Sequence, residues 1–196
     1  MIVDSINTAV RSYAGDAPDH VLRRHGIYIL VGKDGARRVY RFLCDDGAYV
    51  WMMEIGQRIN HGIKFHVPPK TTKLRVRWKA MHVEQLLMSG RLYLANGCGI
   101  PHQMPVEPIP EGVDPALDKK RLLVSTILRY WGYRVVTDPV AYAKATREAC
   151  NFYGVATPTG RAWLEAHLFY GEHPNATMSQ TWRRGSRVKT HFYGND

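Results

Sequence analysis

Apolar residues change their spacing along this 196-residue chain, and the change divides it. Between residues 26 and 95 they fall in short runs, GIYILVG, RRVYRFLC, AYVWMMEI, GIKFHVP and KLRVRW. Each run is rich in β-branched and aromatic side chains, which fit a pleated, half-buried surface. The first breaks are KDG and DDG, whose Asp-Gly pairs supply the positive φ angles of tight hairpins. The pattern predicts a β-meander or partly open barrel. Within KLRVRW, Leu74, Val76 and Trp78 alternate with Arg75, Arg77 and Lys79, which predicts one buried and one cationic face. KAMHVEQLLMSG spaces Met81, Leu86 and Leu87 as a short amphipathic helix stopped by Gly90, and RLYLA returns to the sheet.

From residue 118 the period becomes that of a helix. LDKKRLLVSTILRYWG puts Leu122, Leu123, Ile127, Leu128 and Trp131 on one stripe, with Asp118 as cap and Gly132 as stop. YRVVT reads as a short extended segment. DPVAYAKATREACNFYG opens with Asp138 as cap and Pro139 in the first turn, and TPTGRAWLEAHLFYG repeats that grammar with Thr157, Pro158 and Gly171.

The expected class is α+β, a small β-rich domain (25–95) followed by a three-helix domain (118–171). A short N-terminal arm or helix around DSINTAVRSYA (1–24) would precede them. Residues 96–117 carry five prolines and read as a semi-stiff linker spacing two modules; 172–196 read as an extended basic segment.

Charge narrows the choice of partner. The net charge of +10 favours a polyanion, whose local concentration such a field raises. Arg58, Lys64, Lys70, Lys73, Arg75, Arg77 and Lys79 stand together with no acid among them, and Arg183, Arg184, Arg187 and Lys189 follow Trp182 in a stretch with little periodic apolar content. The first group reads equally well as a solvated face; the second favours a partner. No apolar run approaches the roughly 18 residues of a membrane span, and the N-terminus lacks a signal-peptide pattern, so a soluble, cytoplasmic protein is expected. Cys44, Cys98 and Cys150 lie far apart with no CxxC pair and read as reduced and structural.

The stretch YGVATPTGRAWL has the layout of a helix-turn-helix. Cys150 or Ala149 is the small residue of the first helix, Gly154 the turn glycine and Val155 the apolar residue after it. Trp163 and Leu164 would form the buried rear of the second helix. Thr157, Pro158, Thr159, Arg161 and Ala162 would form its front, with Arg161 suited to a bidentate pair with guanine. Gly160 counts against the motif, because a helical glycine costs about 1 kcal/mol relative to alanine. An αα-hairpin without a ligand fits the same residues. For an enzyme the signals are poor: Asp45 and Asp46 read as turn formers, Asp118 and Asp138 as caps. The chain has no HExxH, phosphate loop or zinc-ligand spacing.

Taken in order, VYRFLCDDGAYVWMMEI, EQLLMSGRLYL, a Pro-rich gap and GVATPTGRAWLEAHLFYGEHPNA resemble the N-terminal DNA-binding region of TnsB/TniA-type transposases, relatives of the phage Mu transposase. The resemblance spans about residues 26 to 190. It implies binding to repeated sites in transposon ends, as part of a bacterial, nucleoid-associated protein, with further copies and other transposition proteins as partners. Thr157, Thr159 and Arg161 would face the major groove, and Trp182, Arg183, Arg184, Arg187 and Lys189 would track the backbone or minor groove. That family's RNase H-like domain, with its DDE triad and magnesium, is expected to begin where this chain stops. The expectation for this chain is therefore DNA binding without catalysis, metal or cofactor. A protein-interaction or regulatory module, or a small nucleic-acid enzyme with an unrecognised site, is the alternative.

Overall fold

A computed structural model describes residues 22–59, 62–95 and 107–178. The Asp-Gly breaks fold as hairpins, β1 (Ile27–Val31), β2 (Arg37–Asp45), β3 (Tyr49–Ile59) and β4 (Gly62–Phe65) pairing consecutively and antiparallel. At the second turn the Asp46 carboxylate accepts the Ala48 and Tyr49 amides at 3.1 and 2.8 Å, and Gly47 takes a φ of 91°. These are the turn roles expected of such aspartates.

β5 (Arg75–Lys79) pairs with Tyr49–Met53 of β3, and β6 (Leu92–Leu94) closes the far side against β1. β4 takes the rest of the same β3 edge, from Gly56 onward. The result is an open six-stranded antiparallel sheet. With five α-helices among the described residues, α1 (Ala80–Met88), α2 (Pro115–Trp131), α3 (Arg134–Thr137), α4 (Pro139–Phe152) and α5 (Thr157–Phe169), the chain is α+β.

Each sheet face has its own cover. Tyr28, Tyr40, Phe42, Val50 and Met52 pack under Val83, Leu86 and Leu87 of α1. On the other face Ile29, Val39, Met53 and Ile55 join Leu123, Ile127, Val135, Ala145, Leu164, Leu168 and Phe169 in a single cluster. Sheet and helices thus share a core: Leu123 and Ile127 of the expected helical stripe are buried in it, whereas Leu122 is 49% exposed. Arg41, 5% exposed, adds a polar tie. Its guanidinium donates to the Phe169 carbonyl at the end of α5 (2.9 Å) and to the His25 carbonyl (2.8 Å), and burial pulls its pKa down to about 10.

Three local expectations are corrected. The first long helix starts at Pro115, inside the expected linker, because Asp114 caps it by accepting the Ala116 and Leu117 amides. Asp118 instead accepts the Gly112 amide and pairs with Arg121. YRVVT, read as extended, winds into α3, whose Val135 and Val136 are buried; packing overrides the β preference of adjacent valines. Finally, the start of the expected basic segment is folded: Asn175, Ala176 and Thr177 are buried. The Asn175 side chain accepts the Ile109 amide and donates to the Glu107 carbonyl, pinning the approach to α2. The expected N-terminal helix, Cys98 and the first half of the Pro-rich stretch lie outside the described residues.

Candidate nucleic-acid interface

α4 and α5 are joined by four residues. Gly154, at φ 60°, reverses the chain, and the Val155 amide donates back to the Cys150 carbonyl at 2.9 Å. This is the conformation for which glycine has the least cost. Val155 packs against the shared core as expected of the residue after the turn.

Gly160, which the sequence pattern alone counts as a defect, has a steric reason. A Cβ built there would overlap the Sγ of Cys150, and the Leu123 methyls stand 3.7 Å away. The small residue on α4 and the glycine on α5 let the two helices touch. The rear of α5 is formed by Leu164, Leu168 and Phe169, each no more than 1% exposed. Trp163 packs at the margin of this core, with the Lys120 ammonium 5.7 Å from its ring centre.

At the front, Pro158 and Thr159 are exposed and Thr157, Arg161 and Ala162 are half-buried. Thr157 is not the cap. Ala156 holds that position, and no side chain bonds the first amides of α5. The helix opens instead with the Thr159 and Gly160 amides both turned to the Ala156 carbonyl. Its positive dipole end therefore carries no carboxylate, a setting that favours an anion.

Arg161 stacks on Tyr142 of α4, its guanidinium 5.6 Å from the ring centre, and its Nε is buried without a hydrogen-bond partner. Arg75 from β5 approaches the same ring at 4.9 Å. Arg75 also grips the fully buried Glu165 with Nε (3.0 Å) and Nη2, and donates from Nη1 to the Val135 carbonyl at 2.8 Å. Burial, and next the nearby Glu165 carboxylate, push the Tyr142 hydroxyl pKa up.

The first basic group therefore divides. Arg75 is internal, whereas Arg58, Lys64, Lys70, Lys73, Arg77 and Lys79 are exposed. The exposed residues lie at the end of β3 and along β4, β5 and the connection between them, the side of the sheet that Arg75 ties to α5. Arg77 rests 4.6 Å from the Tyr49 ring centre and 5.7 Å from that of Trp51. A cavity of about 200 Å³, lined by Trp51, Thr72, Arg75, Val135, Pro139 and Tyr142, lies between this edge and the helices.

Trp182, Arg183, Arg184, Arg187 and Lys189 lie outside the described residues. Among the described residues no group of three or more His, Cys, Asp or Glu side chains is placed to hold a metal ion, and no helix is long and apolar enough to cross a membrane. Burial pushes the Cys44 thiol up to about 12 and raises that of Cys150, which keeps both protonated at neutral pH.

Sequence reasoning missed the roles of Arg75, Tyr142 and Glu165. One signal was available: Glu165 sits beside Leu164 and three before Leu168, in the stripe that must be buried, and a buried carboxylate requires a partner. Neither a protein-family model nor a curated protein matches the chain.

Proposed function

We propose that this chain binds duplex DNA sequence-specifically through a helix-turn-helix formed by α4 and α5. We further propose that it does so as the N-terminal, end-binding part of a TnsB/TniA-type DDE transposase in the bacterial nucleoid. The observation that carries the reading is the start of α5. Its first amides have no side-chain cap, and Arg161 has no carboxylate partner among the described residues, while the rear of the same helix is fixed in the core.

In this reading Thr157, Thr159 and Arg161 enter the major groove, with Pro158 and Ala162 shaping the close approach. The exposed cations of β3 to β5 contact phosphates, as do Arg183, Arg184, Arg187 and Lys189 beside Trp182. Phosphate contacts supply salt-dependent affinity, and base contacts supply the sequence preference. The chain needs no metal for this; magnesium would belong to the catalytic domain of that family.

The test is a salt-titrated gel shift with transposon-end and scrambled duplexes, with and without magnesium. Arg161→Ala should cost about 1 to 3 kcal/mol at one base position and leave binding to scrambled DNA unchanged. Arg183→Ala and Arg184→Ala should weaken both duplexes and flatten the salt dependence. Equal loss on both duplexes for Arg161→Ala would remove it from base readout, and no binding at low salt would overturn the function.

A second reading, a protein-interaction module, has one specific observation behind it. An apolar groove of about 480 Å³ between α2 and α4 is lined by Ile127, Trp131 and Ala149, with Tyr130 and Phe152 76% and 81% exposed at its rim. Such patches mark binding surfaces when they are contiguous.

A further inference from the structure

The two arginines on the Tyr142 ring differ in one respect: Arg75 holds the carboxylate that Arg161 is placed to take. Arg161 and Glu165 stand four residues apart on α5, neighbours on one helix face and within reach of an ion pair. No such pair forms. The Glu165 oxygens receive Nε and Nη2 of Arg75, which reaches in from β5, ninety residues earlier in the chain.

The third Arg75 bond, from Nη1 to the Val135 carbonyl, fixes the guanidinium in place. Arg161 is left with the aromatic face and an unpartnered Nε. A bidentate arginine in a buried site binds a carboxylate more firmly than a single exposed one, so the competition runs in favour of Arg75.

We propose that Arg75 is a positioning residue for Arg161: by occupying Glu165 it keeps the recognition arginine available to an external partner. The sheet thereby controls what the front of α5 can do. The consequence for DNA rests on the binding reading above, while the competition for Glu165 does not.

In the absence of Arg75 the buried Glu165 charge draws in another cation or takes up a proton, because an unpaired buried carboxylate is strongly disfavoured. Arg161 is the nearest candidate on its own helix. It would turn inward and cease to read a base.

The experiment measures phenylglyoxal modification of each arginine in the folded, full chain by mass spectrometry. In the wild type Arg161 should react and Arg75 should be protected. In Arg75→Met the Arg161 reactivity should fall about tenfold, equivalent to about 1.4 kcal/mol in favour of the new pair. In the double variant Arg75→Met, Glu165→Met it should return, since nothing remains to capture it. Exchanging a buried ion pair for apolar groups of similar volume is a change that folds tolerate.

Should Arg75→Met fail to fold, Glu165→Gln decides: Arg75 gains reactivity and Arg161 stays as it was. Unchanged Arg161 reactivity in folded Arg75→Met, or increased Arg161 reactivity in Glu165→Gln, would overturn the proposal. On DNA, Arg161→Ala should lower discrimination between end and scrambled duplexes in the wild type and in the double variant, and have no further effect in Arg75→Met. A wild type with no sequence preference would sink the DNA reading alone, because the reactivity series still tests the competition.

Discussion

Helices α4 and α5 open with nearly the same words, Asp-Pro-Val and Thr-Pro-Thr, and their first turns are built in opposite ways. At α4 the Asp138 carboxylate accepts the Val140 amide at 2.8 Å, so the helix start is satisfied from within. At α5 the alanine in the cap position offers no side-chain oxygen, and the threonine and proline slide one place into the helix. A proline tolerates either of the first two helical positions, having no amide to satisfy. What separates the two helix starts is therefore a single carboxylate.

The comparison breaks most sharply at the rear of α5. Leu164→Ala should lower the unfolding free energy by about 2 to 5 kcal/mol, because the side chain is fully buried and the site cannot collapse without moving the sheet. Thr159→Ala, on the exposed front, should leave stability within about 0.5 kcal/mol. Urea denaturation of the pair measures the contrast, and similar losses would show that the front is also structural.

Acid should act next, at the far end of α5. Burial, the largest influence, lowers the His167 pKa to about 4, so the folded chain keeps this imidazole neutral while the unfolded chain protonates it near 6.5. The unfolded state then binds the extra proton, and stability falls as pH drops from about 6.5 to 4. Glu172 extends the fall. Its bonds to His25 and Tyr133 outweigh burial and lower its pKa to about 2, so its contribution disappears as pH drops from about 4.5 to 2. A thermal melt series should show both stages, and His167→Gln should remove the first. A melting temperature independent of pH between 7 and 4.5 would contradict an imidazole held neutral by the fold.

Gly160→Ala comes third. Helix propensity favours alanine by about 1 kcal/mol, yet the new methyl meets Cys150 Sγ, and overpacking of a core costs about 1 to 3 kcal/mol. The net should be destabilising, and Cys150→Ala added to it should reverse the sign by removing the sulfur. The smallest effects sharpen the comparison at the caps themselves. Asp138→Ala should cost about 1 kcal/mol, whereas Ala156→Asp should raise stability by a few tenths and weaken DNA binding. A variant that gains both stability and affinity would disprove the anion-receiving role of this helix start.

How much of this was readable beforehand depended on how local its cause was. The hairpins followed from Asp-Gly pairs, and α4 from Asp138 and Pro139, because a turn or a cap is decided within a few residues. The expected cap of α2 lies four residues too late, since Asp114 and Asp118 are both acidic and both near the first apolar position; only the Ala116 and Leu117 amides distinguish them. Gly160 was legible as an anomaly but not as a contact, because Cys150 reaches it through the crossing of two helices. The Arg75–Glu165 pair joins positions 90 apart, and alternation along β5 correctly set Arg75 opposite Val76 without indicating that its face meets α5.

The shared core has a consequence for geometry at the scale of a duplex. Two modules on a linker could settle on sites at variable distance and on different sides of a double helix. A sheet whose Val39, Met53 and Ile55 pack into the same cluster as Leu164 and Leu168 instead carries its cationic edge and its exposed helix start as parts of one body. The spacing between them is then a property of the protein, set by side-chain packing. A duplex that engages both must present groove and phosphates on one side within a single short footprint, and inserting half a helical turn between the two contacts would separate them.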